Sequence, residues 1–328
     1  MRFKICHNLS KTVFCVKMIK MHDIWNPWHG CKKCSEGCQN CYMYHMDAKH
    51  GNFDSETVRK TNMMNYPLLR DKNGSYRIKS GESVRICMTS DFFVEEADKW
   101  RGEAFEVIAS RLDVKFFILT KRPERVEKLL PQWWGDGLEN VLFNVTCENQ
   151  KRTDERIPIM FGLPFKHKGI MTAPLLEEIT IEKYLQKRII EQVVCGGENY
   201  NGARECNYDW VKRLSAECKS QNVTFAFIET GNNYVKNGER FFGESKQQQA
   251  KRAYFERLEV VGKKPEYYYS DGFGLPLKDD ELYKPHYRRI CLTCGSRLIC
   301  NGCSDCGKCT DEIVSEKEVK AFDERAKL

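Results

Sequence analysis

The stretch HGCKKCSEGCQNCY, residues 29–42, carries four cysteines in fourteen residues. Cys34, Cys38 and Cys41 are spaced C-x3-C-x2-C, with Cys31 three residues ahead of them. Three thiolates on one compact loop can ligate three irons of a [4Fe–4S] cluster and leave the fourth iron open to a small molecule. Four thiolates can instead close a tetrahedral structural zinc site. Cys31 competes with Cys34, because C-x6-C-x2-C with Cys38 and Cys41 is also a usable set. Gly30 and Gly37 give the loop freedom to fold around inorganic sulfide, or are ordinary turn glycines. Tyr42, directly after the last cysteine, can shield a bound group or pack in the core.

A second group, CLTCGSRLICNGCSDCGKC, holds Cys291, Cys294, Cys300, Cys303, Cys306 and Cys309. Two readings stand. Cys291-x2-Cys294-Gly and Cys303-x2-Cys306-Gly have the form of two zinc-ribbon knuckles. Cys300, Cys303, Cys306 and Cys309 are spaced like a compressed ferredoxin run, which can hold a second [4Fe–4S] cluster. These two groups account for ten of the 17 cysteines. A disulfide scaffold suits small secreted chains, and the start of this chain has no continuous apolar region or small-residue cleavage site. The expectation is thiolate ligation in a reducing, cytoplasmic setting. The scattered Cys6, Cys15, Cys87, Cys147, Cys195, Cys206 and Cys218 are expected mostly as buried apolar fillers.

The 328 residues suffice for one large domain or a catalytic domain with an appendage, and 41% hydrophobic residues can build a full core. No stretch approaches the ~20 apolar residues of a membrane span, so no membrane partner is expected. The net charge of +7 tolerates a nucleic acid without requiring one.

Positioning the chemistry falls to a series of short apolar runs: TVFCVKMI, SVRICMTS, VKFFILTK, VLFNVTCE, KGIMTAPL, EQVVCGGE and VTFAFIET. Helix-like stretches alternate with them, among them EEADKWRGEAFEVIASRL, RPERVEKLLPQWW, TIEKYLQKRI and YDWVKRLSAECKSQ. The alternation predicts an α/β fold of parallel β-α units. Polar residues gather at the C-terminal strand ends: Ser90-Asp91, Lys121-Arg122, Glu148-Asn149 and Gly196-Gly197-Glu198. Six or seven such units suit a partial or complete parallel β/α barrel with its site at that end, although a doubly wound sheet gives the same local pattern. The barrel is assigned to residues 1–231. Residues 232–328 are assigned to an extension carrying a small cysteine-rich C-terminal module at 291–309. Within it GKKPEYYYSDGFG mixes lysine with aromatics, a composition that can stack bases and bind phosphates or serve as a packing strap.

Several motifs occur in one order: WNPWHGCKKCSEGCQNCY from Trp25, Ser90-Asp91 with Phe93, LTKRPER from Leu119, Glu148-Asn149-Gln150 with Asp154 and Arg156, and Gly196-Gly197-Glu198 with Trp210. In this the chain resembles, over roughly two-thirds of its length, a largely uncharacterised, often phage-associated family of radical S-adenosylmethionine (SAM) proteins, distantly similar to spore photoproduct lyase. Three departures stand out: the extra Cys34, Ala173 where the family has glutamate, and Ile228 where lysine is common.

The resemblance implies a radical SAM barrel with a [4Fe–4S] cluster, and the family's first cysteine corresponds to Cys31. The C-x3-C-x2-C spacing instead favours Cys34 with Cys38 and Cys41, with Cys31 as competing ligand. The cofactors implied are that cluster and SAM, with a reductant such as flavodoxin or ferredoxin as partner. Gly196, Gly197 and Glu198 are expected at the SAM ammonium or ribose. Ser90 and Asp91 are placed to reach SAM or substrate, and Glu148 and Asn149 to bind ribose, Asn149 alternatively capping a helix. Lys121 and Arg122 can bind a substrate carboxylate or phosphate. The expected function is hydrogen abstraction by a 5′-deoxyadenosyl radical, with a nucleic acid or nucleotide as substrate. A peptide or natural product is the enzyme alternative, and a zinc-stabilised nucleic-acid-binding protein the non-enzyme one. No Walker loop and no strand-following GxGxxG is present.

Overall fold

The structure, a computed structural model, describes residues 24–200, 202–263, 265–283, 288–290 and 297–299. Its frame is a seven-stranded parallel sheet of β1 (Ile24–Trp25), β2 (Ser83–Ile86), β3 (Lys115–Thr120), β4 (Val141–Thr146), β5 (His167–Thr172), β6 (Ile190–Gly196) and β7 (Thr224–Glu229). The strands lie side by side in chain order, each parallel to the next. A doubly wound sheet reverses its order at a switch point; this one never does. Among the described residues β1 and β7 do not pair with each other, so the sheet is an open half-barrel.

Six of the seven strands coincide with apolar runs in the sequence. The first run, residues 12–19, lies outside the described residues, and the frame instead begins with the two-residue β1. Strand β4 is buried at every position, as expected for a parallel strand covered on both faces. In β3 burial alternates: Phe116, Ile118 and Thr120 are buried, while Phe117 and Leu119 on the opposite face stay partly open.

The helices are α1 (Tyr42–Lys49), α2 (Asp98–Ala109), α3 (Val126–Leu129), α4 (Gln150–Gly162), α5 (Glu182–Leu185), α6 (Tyr208–Ser220) and α7 (Lys246–Phe255). Asn149 caps α4 by accepting from the Arg152 amide at 2.8 Å, and Asn207 caps α6 in the same way through the Asp209 amide. Between helices and sheet lies an aromatic core in which Phe105 meets Phe92 at 5.4 Å edge-on and Phe143 stacks on Phe165 at 4.2 Å. Trp25 and Trp28 are fully buried. Trp25 Nε1 donates to the Met63 and Met64 carbonyls, and Trp28 Nε1 to that of Asp91.

Beyond residue 231 the chain stays on this frame. Asn233–Lys236 pairs in parallel with Cys206–Asn207 and antiparallel with Glu239–Phe242. Helix α7 packs on β7, and Val260 bridges back to Phe225. The aromatic stretch then runs under the N-terminal strand ends, the rim opposite the cysteine loop. There Tyr267 stacks on His167 at 4.0 Å, receives the Lys115 ammonium over its ring at 3.8 Å and reaches Glu191 at 3.4 Å. Of the three tyrosines only Tyr268 is exposed, which is the arrangement of a packing strap. Arg288–Ile290 and Arg297–Ile299 form an antiparallel pair, while Cys291, Cys294, Cys300, Cys303, Cys306, Cys309 and the final tail lie outside the described residues.

A cysteine loop at the barrel mouth

The chain leaves β1 into the cysteine loop. Gly30 turns it at φ +93°, and a side chain there would meet the Thr57 carbonyl oxygen at 2.4 Å, so only glycine fits. The Gly30 amide donates to the Thr89 carbonyl and that of Cys31 to the Ser55 carbonyl, at 3.1 and 3.0 Å. The Ser90 hydroxyl donates to the Gly30 carbonyl. Ser90 therefore serves the loop's backbone in this structure.

The loop is clamped from two sides. Glu148, wholly buried at the end of β4, accepts from the Ser35 hydroxyl and from the Gly37 amide at 3.4 Å, and pairs with Arg156 at 2.7 Å. Burial alone would raise its carboxyl; Lys121, Arg156 and Ser35 outweigh that and hold it below the ordinary carboxylate value. On the other side Glu198, after β6, accepts from Asn40 Nδ2, the Arg204 amide and Arg204 Nε, each at 2.9 Å. Arg204 also donates to the Glu36 carbonyl at 2.9 Å. Burial opposes its ionisation too, and Arg204 and Asn40 hold it low. The glycines before Glu198 serve packing: a side chain on Gly197 would meet the Thr230 carbonyl oxygen at 2.1 Å. One on Gly196 would touch Ile228 at 3.3 Å and Ala173 at 3.4 Å. The two departures noted in the sequence, Ala173 and Ile228, are thus neighbours on one wall.

Asp91 accepts from Thr120 Oγ1 at 2.7 Å and from the Phe93 and Lys121 amides at 2.8 Å, and faces Arg122 at 3.3 Å. Asn149 is the α4 cap, with a 3.4 Å contact from its amide to Glu36. Arg122 binds the Lys32 carbonyl at 2.8 Å and lies 4.0 Å from the Cys31 sulfur.

The four thiols of the loop are free. The Cys34 thiol hydrogen-bonds to Cys38, which holds the Cys38 thiol well below its ordinary value and pushes that of Cys34 up. Burial pushes Cys31 up to about 12 and also raises Cys41. Beneath them, burial works against the charge of Lys121, but Cys38, Glu148 and Cys41 keep its ammonium above the ordinary value. Among the described residues no three His, Cys, Asp or Glu side chains converge on one point as the ligands of a single ion. A cluster makes a different demand, since each thiolate binds its own iron. Four free thiols on a clamped loop, with Lys121 and Arg122 to offset thiolate charge, are a donor set that fits one. Cys34 and Cys31 both interact electrostatically with Cys38, and each is a candidate for the third thiolate.

The sequence motifs thus meet at one rim: the residues at 90–91, 121–122, 148–149 and 198 all surround or brace the cysteine loop. The residues not singled out are the braces Ser35, Asn40 and Arg204, which no spacing marks. Arg156 stood in a motif without a role.

The molecule is an open parallel β/α half-barrel with a braced cysteine loop at its C-terminal mouth. The chain belongs to the family described as "Protein of unknown function (DUF5131)", whose model matches residues 17–267. That span includes the hairpin, α7 and part of the aromatic strap, beyond the motifs recognised in the sequence. No curated protein and no solved structure matches the chain, so kinship with spore photoproduct lyase gains no support there. Among the described residues no helix is long and apolar enough to cross a membrane.

Proposed function

We propose that the protein is a radical SAM enzyme whose cysteine loop holds a [4Fe–4S] cluster through Cys34, Cys38 and Cys41. The observation that carries the reading is the set of free thiols on a loop clamped by Glu148 and Glu198 at the mouth of an open half-barrel. When bound, such a cluster with SAM supplies a 5′-deoxyadenosyl radical for hydrogen abstraction.

The chain's own residues do the positioning. Glu148 and Glu198 fix the loop, and Lys121 and Arg122 balance thiolate charge. The partly open Phe117, Leu119, Met171 and Val194 share one face of the sheet with Arg85, Asn144, Thr146 and Gln192, a mixed polar and apolar wall for a substrate. A nucleotide or nucleic acid remains the proposed substrate class, and an acidic flavodoxin or ferredoxin the proposed reductant.

The test is iron, sulfide and zinc content of protein purified without oxygen, then electron paramagnetic resonance of the reduced sample with and without SAM. Roughly four irons per chain and a signal that SAM perturbs support the proposal, and about eight add a second cluster on the C-terminal cysteines. Zinc without iron sinks it and leaves a structural metal protein.

A further inference from the structure

Beside the cysteine loop, between it and α4, lies a cavity of about 560 Å³. Its lining is almost wholly charged: the cations are Lys32, Lys33, Lys121, Arg122, Arg152 and Arg156, the carboxylates Glu95, Glu124 and Glu155, and Cys34 also lines it. Ile159 is its one aliphatic residue. Besides Arg156, three of these six cations are held by carboxylates. Arg122 faces Asp91, Arg152 is held by Glu36 and Glu155, and Lys32 by Glu96.

Two cations at the floor are not saturated. Lys121 has an enclosed ammonium whose one hydrogen bond among the described residues is a long 3.5 Å contact to Thr146 Oγ1, with no carboxylate at ion-pair distance. Arg156 is 4% exposed, yet uses a single nitrogen, Nη1, for both the Thr146 carbonyl and Glu148. The other edge of its guanidinium, Nε and Nη2, has no partner among the described residues. Arg156 lines the cavity, and that edge is not among the sealed, unpartnered atoms of the described residues, so it is open to a ligand. A guanidinium edge beside an ammonium matches an oxyanion that accepts two parallel bonds and a third. Lys33 lines the cavity with no carboxylate partner among the described residues, its nitrogen 3.4 Å from the Gln39 carbonyl and 4.8 Å from the centre of the Tyr44 ring.

We infer that this cavity is a phosphate-binding site, with Lys121 and the free edge of Arg156 gripping the anion and Lys33 guarding the entrance. Six cations against three carboxylates make the lining net positive, which suits a phosphate or diphosphate. The volume admits a small phosphorylated molecule rather than a lone ion. With no aromatic ring in the lining, the remainder of the ligand is polar. The inference rests on this cavity alone and does not require the cluster.

The test uses inorganic pyrophosphate and the full-length chain in isothermal titration calorimetry, with iron measured on the same sample. Saturable binding is expected, weakened about tenfold or more in Lys121→Gln and about threefold in Lys33→Ala, both at unchanged circular dichroism. Lys33 is exposed, so its variant keeps the test valid if the other fails to fold. Absence of binding in the wild type, or equal binding by wild type and both variants, overturns the inference and leaves Lys121 as counter-charge to the thiolates. Pyrophosphate binding by iron-free protein retains the site while removing the cluster; iron without pyrophosphate binding does the reverse.

Discussion

At Gly197 a side chain would sit 2.1 Å from the Thr230 carbonyl oxygen, which is backbone and cannot swing away. Gly197→Ala should therefore destabilise the fold by about 3 kcal/mol, measured by chemical denaturation. A loss under about 0.5 kcal/mol would show that the strand end yields. The sequence placed this glycine at a strand end without revealing that the adjacent strand end packs against it. The cysteines were more legible, because their spacing alone grouped them and the structure keeps all four thiols on one loop. Spacing could not choose between Cys31 and Cys34, since both sets span a compact loop. Iron content of serine variants decides it. On the proposed ligand set Cys34→Ser, Cys38→Ser and Cys41→Ser lose the iron while Cys31→Ser retains it, and retention in Cys34→Ser with loss in Cys31→Ser transfers the site to Cys31.

Elements were read with uneven success for identifiable reasons. Strands β2 to β7 are visible as apolar runs without any partner: β4 is covered on both faces, and β3 and β7 carry apolar residues even on their partly open face. Strand β1 has only two residues and no run to see. Helix α4 carries Pro158 in its interior, a residue that argues against helix, yet the Asn149 cap and the buried Thr153, Arg156, Ile157 and Met160 hold it in place. That helix delivers Arg156 to Glu148, and the pair then braces the loop. Glu148→Gln removes the charge facing a buried guanidinium and should cost about 3–5 kcal/mol. Adding Arg156→Met removes the stranded cation, so the double variant should recover part of the loss. A double variant as unstable as the sum of the singles would mean that the two residues act independently.

The whole molecule separates its two rims. The C-terminal mouth carries the cysteine loop, while the N-terminal end is closed by the strap of residues 265–270, whose aromatic–basic composition gave no hint of which rim it would cover. Its closure leaves Lys115 half-buried with its ammonium over the Tyr267 ring, and burial lowers its pKa to about 8 despite Glu191. A lysine with a lowered folded-state pKa binds its proton more weakly when folded than when unfolded. It therefore destabilises the fold fully below pH 8, and the penalty fades as pH rises toward the unfolded value of about 10.4. Lys115→Met should accordingly be the more stable protein at pH 7, by up to about 3 kcal/mol before the lost ring contact is deducted. Its advantage should shrink steadily between pH 8 and the unfolded lysine pKa. Comparing the two proteins at each pH cancels the buried thiols and tyrosines, which titrate in the same range in both. A stability difference that stays flat across that range would mean the ammonium is solvated where it sits, and that the strap covers the rim without sealing it.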